Sequence, residues 1–171
     1  MKKKNNVRYW SRDEIEQIVK NRHIDRTRFY EYSKTDYERV IKKFYYSFCE
    51  YEKDTDIILD YCWIRFRENL EITGRVYGSI GWYKMLQSIK ENMEYNWDKK
   101  LYLIVDDGWV YEGYIDEIVI VLGEITGNIN DFYIVSLQFD RMAVYCDDGD
   151  CIVYYKKMMG IVKNEDEEKN I

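Results

Sequence analysis

The chain has no proline, a single histidine (His23), and no apolar run longer than that of Ile118 to Leu122. A run of that length is far too short to cross a bilayer, which takes roughly 20 residues. No apolar stretch of signal-peptide length follows Lys2-Lys3-Lys4-Asn5-Asn6, so export by that route is not expected and a cytoplasmic location is. In that compartment Cys49, Cys62, Cys146 and Cys151 are expected as reduced thiols. The sequence also lacks a Gly-x-Ser-x-Gly elbow, a P-loop and a dinucleotide fingerprint. With one histidine, a Cys–His nucleophile would require His23 to approach a thiol. These absences leave little room for an enzyme, and no cofactor is expected.

What is present is globular. Hydrophobic residues make up 46% and aromatics 17% of the chain, which excludes wholesale disorder. At 171 residues one domain is the simplest expectation, burying roughly 70% of its unfolded surface. The 18 tyrosines belong to a composition rich in Lys, Asn, Ile and Tyr, so each is not read as a binding residue. Charge is uneven. Residues 1–44 hold 13 Lys+Arg against 7 Asp+Glu; residues 45–171 hold 13 against 25. The layout reads as a basic helical segment over 1–52, an α+β body over 57–157 and an acidic frayed tail over 163–171. Attraction between the two charged parts is one reading, and an acidic body suited to a basic partner is the other.

Local patterns predict the elements. Ser11-Arg-Asp-Glu14 has the form of a capping box, with Ile15, Ile18 and Val19 giving a helix over 12–22. Thr35-Asp-Tyr-Glu38 repeats the signal ahead of Val40, Ile41, Phe44, Tyr45 and Phe48, for a helix over 36–52. Alternation of Cys62, Ile64 and Phe66 with Trp63, Arg65 and Arg67 predicts a strand over 60–67. Ser79 is the candidate cap of a helix over 80–95, and Gly74 to Gly81 reads as a loop. Strands are expected at Leu101–Val105, Trp109–Gly113, Phe132–Leu137, Met142–Cys146 and Cys151–Tyr155. Ile118-Val-Ile-Val121 favours strand by propensity. Ile115, Val119 and Leu122 fit a helix, however, and Asp116-Glu117 suit a first helical turn, so a helix over 115–124 ended by Gly127-Asn128 is expected. The fold class that follows is α+β: a mainly antiparallel sheet of five or six strands with helices packed on one face.

Two Asp-Asp-Gly turns carry the sharpest chemical signal. Asp106, Asp107, Asp147, Asp148 and Asp150 are five carboxylates on hairpin turns, beside Trp109 and Tyr111. Turn chemistry alone favours such residues. Neither turn matches a calcium loop, so no metal site is expected there. Cys146 and Cys151 should face each other across a hairpin but lack the second ligand pair of a zinc site. In the basic segment, Arg22, Arg26 and Arg28 alternate with aromatics in a way that suits phosphate contact.

The order of Leu101-Tyr-Leu-Ile-Val105, a turn, a short helix, Asp131-Phe-Tyr-Ile-Val-Ser136 and Arg141-Met-Ala-Val-Tyr-Cys146 resembles small bacterial immunity-type proteins of toxin–immunity loci. The resemblance covers about the last third of the chain. It implies a non-enzymatic inhibitor that binds a cognate toxin, and a phage-encoded inhibitor of a defence enzyme would look alike. The expected activity is therefore occlusion of a basic protein partner by Asp106, Asp107, Trp109, Tyr111, Asp147, Asp148 and Asp150. The alternatives are a nucleic-acid-associated regulator acting through Arg22, Arg26 and Arg28, and a metal-dependent or thiol enzyme.

Overall fold

The computed structural model describes residues 10–51, 56–59, 61–93, 99–105, 108–126 and 129–158. In chain order the elements are α1 (Trp10–Asn21), β1 (Phe29–Glu31), α2 (Lys34–Phe48), a 3₁₀ turn (Cys62–Arg65), β2 (Leu70–Tyr77), a second 3₁₀ turn (Gly78–Ile80), α3 (Trp82–Asn92), β3 (Lys100–Val105), β4 (Val110–Tyr114), α4 (Ile115–Glu124), β5 (Asp131–Ser136), β6 (Arg141–Cys146) and β7 (Cys151–Lys157). The strands form one antiparallel sheet in the order β1-β4-β3-β5-β6-β7-β2. The fold is α+β, with seven strands where five or six were expected.

Period-two alternation assigns each strand residue to a face. Leu103, Val105, Tyr111, Phe132, Ile134, Ala143, Ile152 and Tyr154 join α1, α3 and α4 in one core. Ile104, Val110, Tyr133, Val135, Met142 and Val144 face α2, Leu59 and Cys62 in a second. Helices therefore cover both faces, not the single face expected. This is why β5 is buried along its whole length and its middle, Phe132 to Val135, reads as a continuous apolar run. Among the described residues no helix is long and apolar enough to cross a membrane.

Several local signals resolve differently from their sequence pattern. α1 begins at Trp10, and Glu14 reaches Thr126, accepting from its amide at 2.8 Å and its hydroxyl at 2.7 Å. α2 starts after Ser33, two residues earlier than the Thr35 signal. The strand expected over 60–67 is a 3₁₀ turn. Its alternation fails because Cys62 is buried while Ile64 is exposed. The segment pairs with the exit of α2 through Arg67 N–H to Phe48 O (2.9 Å) and Glu50 N–H to Arg65 O (2.7 Å), not with the sheet. The strand lies later, as β2, an edge strand whose exposed side chains mask its periodicity. β1 has three residues and no periodicity to show. α3 is preceded by Gly81 at φ +92°, not by a Ser79 cap. α4 spans the expected residues and ends at Glu124; Gly127 and Asn128, the expected stop, lie outside the described residues, as does the 163–171 tail.

Candidate functional site

The β6–β7 turn is fixed at both flanks by backbone bonds. Asp147 N–H donates to Asn130 O at 3.2 Å, Asp150 N–H closes the turn on Asp147 O at 3.0 Å, and Gly78 N–H donates to Asp150 O at 2.7 Å. Asp150 sits at φ +39°, a left-handed conformation that aspartate tolerates better than most residues. The side chains of Asp147, Asp148 and Asp150 are exposed, and none forms an ion pair with a described residue. Asp106 and Asp107 lie outside the described residues. Register places the β3–β4 connection at the same end of the sheet, since Val105 pairs with Phe132 and Cys146 with Asp131.

Trp109 and Tyr111 are not surface anchors. Tyr111 is 0% exposed and stacks on Phe29 at 5.1 Å; Trp109 is 9% exposed, beside Tyr37 and under the Arg12 guanidinium. Both belong to the core under α1, α3 and α4. The exposed apolar residues at this end come from elsewhere. Tyr77 (53% exposed) is the register partner of Cys151, and Ile80 (47%) follows Gly78. On the other side, Tyr61 (40%) donates its amide to Asp131 Oδ2 at 3.3 Å. Sequence reasoning missed Tyr77 and Ile80 because residues 74–81 read as a loop.

Asp131, Cys146, Cys151 and Tyr77 form one row across four adjacent strands. At its β5–β6 side the ligand atoms of Asp131, Cys146 and the adjoining Asp147 lie within 4.8 Å of one another. Two carboxylate oxygens and a sulfur suit zinc better than calcium or magnesium. A metal must displace the thiol proton, and burial, aided by the charge of Asp131, pushes the Cys146 thiol up against that loss. Cys151 is raised by burial as well. All four cysteines are free thiols and buried, while His23 stands exposed in the turn after α1 at φ +52°.

The basic segment is folded against its own counter-charges. Arg12 makes a bidentate pair with Glu31 at 2.8 and 2.9 Å, which holds its proton still more firmly. Arg26 pairs with Glu16, with contacts at 2.6 and 3.2 Å. Arg28 bridges to Glu117 on α4, and Arg22 to Glu124 at the end of the same helix.

No curated protein and no solved structure matches the chain. A family model does match, over residues 8–166, and with that coverage the chain belongs to DUF6756, a family of unknown function.

Proposed function

We propose that the protein is a non-enzymatic binding protein of the immunity or anti-defence type, which occludes a basic protein partner with the acidic end of its sheet. The observation that carries this reading is the β6–β7 turn: three exposed carboxylates with no ion pair to a described residue, held by backbone bonds beside exposed Tyr77 and Ile80. Unneutralised like charges at close range are a small cost to the fold. They become useful when a cationic surface approaches, because the field speeds encounter. Apolar anchors such as Tyr77 and Ile80 then supply binding energy that charge alone does not. Blocking an active site by coverage needs no catalytic residue of the inhibitor. The nucleic-acid alternative needs Arg22, Arg26 and Arg28 available to phosphates, and each already holds a carboxylate.

The test is residue-specific photo-crosslinking in the native host. A benzophenone side chain replaces Tyr77 in one variant. In another it replaces Tyr46, an exposed residue on α2; that helix's end packs near Lys157, at the far end of the sheet. The proposal expects a basic protein joined at position 77 and not at 46, with the product lost when Asp147, Asp148 and Asp150 are all changed to Asn. Equal products at both positions, or a product that survives the triple change, would refute it.

A further inference from the structure

Among the described residues Asp131 is the only charged side chain in the core, 0% exposed at the start of β5. Period-two alternation puts it on the face of Tyr133 and Val135, as it puts Cys146 on the face of Val144. Backbone bonds fix the spacing of this row. Asp147 N–H donates to Asn130 O, and Asp150 N–H to Asp147 O. The Asp131–Cys146 and Cys146–Cys151 pairs therefore occupy non-hydrogen-bonded positions, where facing Cα atoms come to about 4.5 Å and side chains are closest. Asp147 turns in beside them, and the ligand atoms of Asp131, Cys146 and Asp147 lie within 4.8 Å of one another. The surroundings hold this set in place. The Tyr61 amide donates to Asp131 Oδ2 at 3.3 Å, and the amides of Gly149 and Asp148 hydrogen-bond the Cys146 sulfur.

Two carboxylates this close repel each other, and one of them is shut off from bulk water. Burial is the main reason Cys146 keeps its proton, and the charges of Asp131 and Asp148 add to it, while the two amide bonds work the other way. A bound dication reverses that balance, because its own charge outweighs the carboxylates that then become its ligands. The donors select the ion. Calcium and magnesium take shells of oxygen, whereas zinc accepts sulfur and oxygen together in a four-coordinate shell. Ligands about 2.0–2.3 Å from a tetrahedral ion stand about 3.5 Å apart, so the set needs only a small contraction, which the exposed Asp147 side chain supplies by rotation. We infer that Asp131, Cys146 and Asp147 form a zinc site, with its fourth position open to water. The ion ties the acidic turn to the start of β5 and leaves Asp148 and Asp150 facing outward. Without zinc the carboxylates only repel. The inference is independent of the proposed function, since it needs no partner.

The test uses the full chain, reduced and stripped of metal by a chelator that is then dialysed away. Zinc, calcium and magnesium are titrated in separately by calorimetry. Zinc should bind one to one and raise Tm, and the other two ions should do neither. Asp147→Asn is an exposed change that leaves the core alone. It should weaken zinc binding by more than the about tenfold that loss of an outer-shell partner costs, and Cys146→Ser by at least as much. His23→Ala removes the only histidine and should leave zinc affinity unchanged. Cobalt(II) in place of zinc reports the sulfur: a thiolate-to-metal absorption band should appear in the wild type and vanish in Cys146→Ser. No zinc binding by the reduced wild type would overturn the inference. So would calcium or magnesium binding as tightly as zinc, or zinc affinity that is unchanged in Asp147→Asn or lost in His23→Ala. A thiolate band that survives Cys146→Ser would overturn it too. A protein crosslinked at position 77 bears on none of these outcomes.

Discussion

Arg12, Arg22, Arg26 and Arg28 each hold a carboxylate, whereas Asp147, Asp148 and Asp150 hold no cation of the described chain. Both regions look equally polar in the sequence. One is spent inside the molecule, tying α1 and β1 to α4; the other is left facing outward from a fixed turn. Charge composition therefore says little about which surface awaits a partner. What decides it is the counter-charge that folding brings, and here that separates a stapled basic segment from an open acidic end.

If the basic segment is a docked part of the fold, its contact line with the sheet should be intolerant. Phe29 pairs with Gly113, where an added Cβ would lie 2.5 Å from Phe29 Cδ2 and 3.0 Å from the Arg28 carbonyl oxygen. A backbone oxygen cannot rotate away as a side chain can. Gly113→Ala should cost about 2–3 kcal/mol in urea unfolding. A neutral outcome would mean β1 is loosely attached. Next in size is Arg12→Ala, which removes the bidentate bond to Glu31 and the stack on Trp109. A loss of about 1–2 kcal/mol is expected, with little dependence on salt.

A second acidic turn sharpens the contrast. Asp140, between β5 and β6, accepts from the Ser136 hydroxyl at 2.5 Å and from its neighbour Arg141. Burial raises its pKa, but the Ser136 bond and the Arg141 charge outweigh it, and the net shift is downward. A carboxylate whose folded pKa is depressed stabilises the fold above its unfolded pKa, near 4, and loses that contribution as pH falls through the folded value. Asp140→Asn should therefore cost some tenths of a kcal/mol at pH 7 after screening, and nothing once both forms are protonated. Thermal melts between pH 2 and 7 would show whether the two variants' curves converge. The smallest effect is at the open turn. Changing Asp147, Asp148 and Asp150 together to Asn should leave stability unchanged or raise it slightly, because only repulsion is removed. A loss above about 1 kcal/mol would mean these carboxylates have structural partners.

The legible elements were those whose periodicity matched their burial. α4 is the clearest case. Ile118-Val-Ile-Val121 has strand composition, yet Ile115, Ile118, Val119, Val121 and Leu122 are all buried behind an acidic first turn, and the helix was readable from that pattern. β2 was not legible, since an edge strand exposes alternate positions irregularly and carries a bulge between Ile72 and Gly74. The 62–66 alternation was real in the sequence but was used against the exit of α2. The acidic turn was legible as turn chemistry. Its apolar neighbours were not: Trp109 and Tyr111 flank a turn in sequence but are buried in the core under α1, α3 and α4, while Tyr77 and Ile80 arrive from the end of β2 and the turn after it, some 70 residues earlier. The arginine pairs were equally hidden, for Arg28 meets Glu117 across 89 positions, and such a contact leaves no local trace.

The direct test of the contrast is kinetic. With the partner captured at position 77, association rates would be measured at low and physiological salt for three proteins. These are the wild type, the triple Asn variant of Asp147, Asp148 and Asp150, and the triple Ala variant of Arg22, Arg26 and Arg28. The account predicts that the Asn variant associates on the order of tenfold more slowly at low salt and loses most of its salt dependence, while the Ala variant associates at close to the wild-type rate. Slower association in the arginine variant with no change in the Asn variant would contradict it, placing the working charge in the basic segment.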